Sequence, residues 1–244
     1  MQNLPVYISL VFVLTVLFLL LIFYVAVRKS ALPGAGKLSV LLAGLGFLWL
    51  AAQAVLARKG LYTSYPDALP PKIVLFGVAP ALTVVALAFI LPAGRRFADA
   101  LSLSRLTWLH VVRVPVELVL FRLCLYGAVP ESMTFEGQNF DILSGISAPF
   151  VAYYGFAGGK IRRGLLIVWN LVCLALLANI VATAFLSAPS PLQRLAFDQP
   201  NVAILYFPFV WLPTFVVPVV LFAHLASLRQ LFRQHGATAT TAMA

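Results

Sequence analysis

Residues 5–27 read PVYISLVFVLTVLFLLLIFYVAV and contain no charged side chain. At a rise of about 1.5 Å per residue, a helix of this length crosses the hydrocarbon core of a bilayer, which is about 30 Å thick. The run does not alternate polar and apolar positions, as a membrane β-strand would. The stretch therefore predicts a transmembrane helix, and similar apolar runs follow along the chain.

The composition agrees with a membrane protein. Of the 244 residues, 62% are hydrophobic and only 10% are charged, whereas soluble domains carry roughly 25% charged residues. Backbone polar groups in lipid must be paired within the protein, so non-alternating apolar runs predict helices. We expect an all-α, polytopic membrane bundle of seven transmembrane helices, a single domain at 1–233, followed by a disordered tail at 234–244. The predicted spans are about 5–27, 38–57, 73–92, 106–128, 142–158, 164–186 and 202–225.

The basic residues give this bundle an orientation. One set of loops holds eleven of the seventeen Lys and Arg residues, and the other set holds four. Because Lys and Arg accumulate on the cytoplasmic side, the N-terminus is expected outside and the C-terminus in the cytoplasm. The residues expected in the cytoplasm are Arg28, Lys29, Lys37, Arg95, Arg96, Arg105, Lys160, Arg162, Arg163, Arg229 and Arg233.

The net charge of +10 does not indicate a nucleic-acid partner, because the basic residues flank apolar spans. We expect them to face anionic headgroups on the cytoplasmic face of the bilayer. Arg outnumbers Lys twelve to five, which favours a GC-rich bacterial source. The predicted location is therefore the bacterial cytoplasmic (inner) membrane.

The fourth predicted span contains charges that its apolarity does not explain. His110, Arg113 and Glu117 fall on one helix face, whereas Arg122 points away from them. An ionised residue near a helix centre costs about 2.5–3.5 kcal/mol on insertion scales. These four residues are the candidate intramembrane polar site. Two interpretations remain open, a structural clamp between helices and a site for a ligand, ion or proton.

Pro115 lies between Arg113 and Glu117. Proline removes a backbone donor and crowds the carbonyl four residues earlier, so we expect a kink or break in this helix. A broken helix beside charged groups at membrane depth is typical of binding sites in transporters. Glu117 is expected to have Arg113, one turn earlier, as its nearest cation.

The outer loop between the fourth and fifth spans is acidic. Glu131, Glu136, Asn139 and Asp141 form a candidate cation-attracting mouth, since oxygen ligands suit hard cations. Their spacing matches no known calcium loop. Asn139 or Asp141 is alternatively placed to cap the fifth helix at its N-terminus.

Other polar or helix-breaking residues have simpler interpretations. His110 and His224 lack companion ligands at metal or haem spacing, so no metal and no cofactor is predicted. Pro208, Pro213 and Pro218 predict a repeatedly bent seventh helix. The stretch 94–105 predicts a short helix lying on the cytoplasmic membrane surface.

No known catalytic motif is present. The sequence lacks GxSxG, HExxH and a phosphate loop, and the seventh span has no lysine for a retinal Schiff base. Three classes of function remain. The first is an interaction, sensor or accessory membrane subunit, with a membrane-protein partner or as a homo-oligomer. The second is a carrier or channel for a small solute, ion or proton that uses the fourth helix. The third is an intramembrane enzyme acting on a lipid or quinone, so an enzymatic activity is left open but not favoured.

Overall fold

A computed structural model of the protein describes residues 4–64 and 66–241, with side chains up to residue 233. Within these residues the chain is helical and forms no strand, which confirms the predicted all-α fold. The helices are α1 (Val6–Arg28), α2 (Ala35–Arg58), α3 (Ala79–Ile90), α4 (Pro92–Ala100), α5 (Leu103–Leu109), α6 (Arg113–Leu125), α7 (Ile142–Gly155), α8 (Arg163–Ser187) and α9 (Val217–Thr241).

Four described helices are long and apolar enough to cross a membrane, namely Val6–Arg28, Ala35–Arg58, Arg163–Ser187 and Leu212–Arg233. A fifth is obtained when Val74–Ile90 and Pro92–Ala100, which meet at an angle of 88°, are counted as one span. α7 is apolar but has only 14 residues. These helices indicate an integral membrane protein. The count of seven crossings and the orientation stay predictions.

The short helix expected after the third span is present as α4. Pro92 is its first residue, a position where the missing N–H of proline costs nothing. Asp99 receives two hydrogen bonds from Arg229 of α9, at 2.9 Å from Nε and 3.0 Å from Nη2. The ring of Phe97 packs against that of Phe222. α4 is thus fixed to α9 after the sharp bend.

The predicted break in the fourth span lies just before Pro115. Residues His110–Val112 form a 3-10 turn between α5 and α6, and Pro115 lies in the first turn of α6. There its missing N–H removes no intrahelical hydrogen bond. α7 packs closely on this break, because a Cβ on Gly145 would lie 2.9 Å from the backbone nitrogen of Val114. The polar part of the segment therefore lies in the centre of the bundle.

The last span begins later than expected. The sequence predicts a helix from residue 202, but helical structure begins at Leu212, with a π-helical segment Leu212–Val216 leading into α9. Residues 203–205 form only a 3-10 turn. Pro208 and Pro213 account for the delay, because each removes a backbone donor. The predicted tail at 234–244 stays untested, since residues 242–244 and the side chains of 234–241 lie outside the described part.

Candidate functional site

An ion pair joins the broken helix to the start of α7. Nε of Arg113 lies 3.1 Å from Oδ2 of Asp141, and the two residues are 3% and 5% exposed. None of the three guanidinium nitrogens meets hydrogen-bond geometry with a described group, so the contact is close but misaligned. Asp141 occupies the N-cap position of α7 without a side-chain capping bond. Its carboxylate serves the arginine rather than the helix end.

Glu117 also has a partner, from the loop between α6 and α7. Its Oε2 accepts a hydrogen bond of 2.6 Å from Nδ2 of Asn139, which donates as well to the carbonyl of Met133. Oδ1 of Asn139 accepts from the backbone N–H of Asp141. Asn139 therefore connects the carboxyl group of Glu117 to the backbone at Asp141. Glu117 and Asn139 are buried.

A pair of stacked imidazoles lies on the other side of Arg113. The rings of His110 and His224 have centroids 3.9 Å apart, and Trp169 contacts His110 edge-on. Nδ1 of His224 lies 2.8 Å from Oδ1 of Asn170, whose amide nitrogen donates to the carbonyl of Leu166. Because Oδ1 only accepts, Nδ1 of His224 carries the hydrogen. In the described residues, no group of three or more metal-ligating side chains comes together.

A cavity of about 360 Å³ reaches this polar cluster. Its walls are apolar and come from α3, α6, α8 and α9, including Leu82, Leu177 and Val220. Arg113, Glu117 and Asp141 also line it, and we call these three residues the polar floor. The volume is within the range of small-molecule sites, about 300–1,000 Å³.

The rim of the cavity faces outward between α3 and α8. Leu82 of α3 is 39% exposed, and Val181 and Phe185 of α8 are 41% and 40% exposed. All three line the cavity. The cavity thus leads from an exposed apolar rim to a buried polar floor.

Two π-helical segments border the cavity. They are Val74–Val78, just before α3, and Leu212–Val216, just before α9, and both contribute lining residues. The segments also contact each other. π-helical turns are rare in proteins, and those that occur often lie at functional sites. Both irregular segments of this type among the described residues therefore lie at the same place.

A small hydrogen-bond network lies beside the cavity. The hydroxyl of Tyr62 donates to Oε1 of Gln53 at 2.6 Å, and Nε2 of Gln53 donates to the carbonyl of Phe76 in the first π segment. Burial raises the pKa of Tyr62 to about 12, although the bond to Gln53 acts in the opposite direction. Tyr62 also lines the cavity. The network satisfies a carbonyl that the π segment frees.

The structure divides the predicted site residues into two sets. His110, Arg113 and Glu117 are buried together, and Asn139 and Asp141 from the acidic loop join them. Arg122 lies elsewhere, with Nε donating to the hydroxyl of Tyr7 at 2.9 Å. Glu131 and Glu136 are exposed. Residues of the predicted intramembrane site and of the predicted acidic loop thus form one cluster. Arg122, Glu131 and Glu136 are not part of it.

The sequence indicates neither Asn170 nor the cavity, whose walls consist of ordinary apolar residues. It offers His224 only as a histidine without companion ligands. The sequence did contain one indication of these contacts. α6, α8 and α9 each carry a polar residue at membrane depth, and such residues usually form hydrogen bonds with one another.

The chain matches a protein family over residues 70–232, and that family is described as a domain of unknown function (DUF8737). The matched region contains every residue of the polar floor, the two histidines and the cavity-lining parts of α3, α8 and α9. α1 and α2 precede it. No curated protein and no solved structure matches the chain.

Proposed function

This chain belongs to the DUF8737 family, and we propose that it binds a small lipid-soluble molecule inside the membrane, as a sensor or a carrier. The observation that carries this proposal is the cavity with apolar walls and a polar floor of Arg113, Glu117 and Asp141. A concave apolar site with a few convergent polar groups is the usual form of a small-molecule site.

The position of the rim supports entry from lipid. Leu82, Val181 and Phe185 line the cavity and are exposed on the surface that faces the bilayer. A molecule dissolved in the membrane would pass between α3 and α8 without crossing water. Its apolar body would lie against the walls, and its polar end would reach the floor.

The irregular helices favour a role in which binding is linked to movement. The 3-10 turn His110–Val112 and the two π segments interrupt the helices that carry or border the site. Such interruptions are typical of functional helices in membranes. Among the three classes of function that the sequence leaves open, a sensor and a carrier both require a binding site whose helices can move.

The proposal includes the predicted topology. Seven crossings are obtained when α3, the α5–α6 segment and α7 are added to the four long helices. The N-terminus then lies outside and the C-terminus in the cytoplasm, in accord with the distribution of basic residues. We place the protein in the bacterial cytoplasmic membrane, with anionic headgroups at its basic face and a membrane-protein partner or a second copy as its receiver.

The test compares molecules that co-purify with the protein. Wild-type protein in polymer nanodiscs, Ala178→Phe and Ala175→Phe are extracted and analysed by mass spectrometry against the bulk membrane. Ala178 lines the cavity, whereas Ala175, one turn away on α8, does not, and both are exposed. A molecule enriched in wild type and Ala175→Phe but lost from Ala178→Phe supports the proposal. Equal enrichment in both variants, or no enrichment in any sample, contradicts it.

A further inference from the structure

We infer that the polar end of the ligand is an uncharged group that both accepts and donates hydrogen bonds, as a hydroxyl does. This inference rests on the proposed function and names the class of molecule that the cavity takes. It follows from three properties of the floor: its unpartnered donors, its unpartnered acceptor and its charge.

The first property is the donors of Arg113. Nη1 and Nη2 are buried and make no hydrogen bond to a described group. A guanidinium has five N–H donors and no acceptor, and leaving a buried charged donor unpaired is more unfavourable than leaving a neutral one unpaired. The ligand must therefore present an acceptor. An ammonium head fails this requirement, because it only donates.

The second property is the charge of the floor. Arg113 is the one cation among the three floor residues, and it is already paired with Asp141. Lys72 also lines the cavity but is not part of the floor. An anionic head at the floor would lie beside the carboxylate of Asp141 and an arginine whose charge that carboxylate already compensates, and like charges at short range are unfavourable. The floor thus favours an uncharged head over a carboxylate, sulfonate or phosphate.

The third property is the acceptor of Asp141. Its Oδ1 is buried without a partner of good hydrogen-bond geometry, while Oδ2 faces Arg113. The nearby hydroxyl of Ser144 is also without an aligned partner, and it can occupy only one of the lone pairs of Oδ1, so this oxygen still accepts from a donor on the ligand. A hydroxyl meets both needs, because it accepts from Nη1 or Nη2 of Arg113 and donates its one hydrogen to a carboxyl oxygen. The apolar walls then require that the rest of the molecule be hydrocarbon.

The experiment uses three photoreactive probes with the same diazirine-bearing alkyl chain. One ends in a hydroxyl, one in a sulfonate and one in a quaternary ammonium group, so that the two charges are permanent. Wild-type protein in nanodiscs of phosphatidylcholine, which carries no net charge, is labelled at equal membrane concentrations of probe. Mass spectrometry of peptides from α3, α8 and α9 measures labelling that an excess of unlabelled alcohol of the same chain length removes.

We expect the hydroxyl probe to label the cavity peptides about tenfold more than either charged probe, which corresponds to about 1.4 kcal/mol. Ala178→Phe should lose this labelling and Ala175→Phe should keep it. Equal labelling by all three heads, or a preference for a charged head, overturns the inference and leaves the proposed function standing. Absence of competed cavity labelling with every probe counts against the proposed function itself.

Discussion

Arg113 and Asp141 are 28 positions apart in the sequence and form a buried ion pair at 3.1 Å. The pair fixes the break before α6 to the start of α7 and supplies two of the three residues of the polar floor. The pair therefore both holds the two helices together and lines the cavity.

Removing one member of the pair should destabilise the protein strongly. Asp141→Asn leaves the Arg113 guanidinium buried without a counter-charge, and breaking a buried pair in this way costs about 3–5 kcal/mol. Arg113→Gln should cost a similar amount. Unfolding in mixed detergent and SDS micelles measures both. The double variant should be less destabilised than the sum of the two, and an additive result would show that the groups do not interact.

The two stacked histidines should respond differently to replacement by phenylalanine. His110→Phe keeps a ring in contact with His224 and removes two buried nitrogens that have no hydrogen bond, so stability should stay unchanged or rise. His224→Phe leaves Oδ1 of Asn170 without its partner and should cost about 1–3 kcal/mol. Thermal unfolding in detergent compares them. Equal destabilisation by both substitutions would contradict this assignment.

The close approach of α7 to the break depends on Gly145. A Cβ there would lie 2.8 Å from Cγ2 of Val114 and 3.2 Å from Cβ of Arg113, so Gly145→Ala should destabilise by about 1–3 kcal/mol through overpacking. Gly44, in the middle of α2, has no heavy atom within 4 Å of its Cβ position. Gly44→Ala is the matched control and should be neutral or stabilising by up to about 1 kcal/mol. Similar effects at both positions would refute the tight contact.

Tyr62 should give a distinct alkaline transition. Its pKa is raised from 10.0 to about 12, so the unfolded chain loses this proton before the folded protein does. The stabilising contribution is complete below pH 10 and is lost as the pH rises towards 12. Thermal stability should therefore fall more steeply between pH 10 and 12 in wild type than in Tyr62→Phe. Parallel curves in the two proteins would show that Tyr62 titrates normally.

Several elements of the fold could be predicted because they depend on local sequence. Residues 5–27 predict α1 through their unbroken apolarity, and the stretch 94–105 predicts the short helix that is present as α4. The break beside Arg113 follows from Pro115, although the structure places it just upstream. The late start of the last span could not be predicted from the sequence. Residues 202–211 are as apolar as the residues of a membrane helix, but they form mostly turns.

The composition of the site could be predicted only in part. His110, Arg113 and Glu117 were identifiable because charge in a membrane helix requires an explanation. Their partners were not, because pairing across helices depends on packing rather than spacing. The sequence favoured Glu117 as the partner of Arg113 and a cap as the role of Asp141. In the structure Arg113 pairs with Asp141, while Glu117 binds Asn139.

The most direct test of the central claim is a structure of the protein in lipid nanodiscs, determined by electron cryomicroscopy with a bound antibody fragment. The account predicts elongated density between α3 and α8 that passes Leu82 and Val181 and ends within hydrogen-bond distance of Arg113. Direct packing of α3 against α8, with the Arg113–Asp141 pair enclosed by side chains alone, would contradict it.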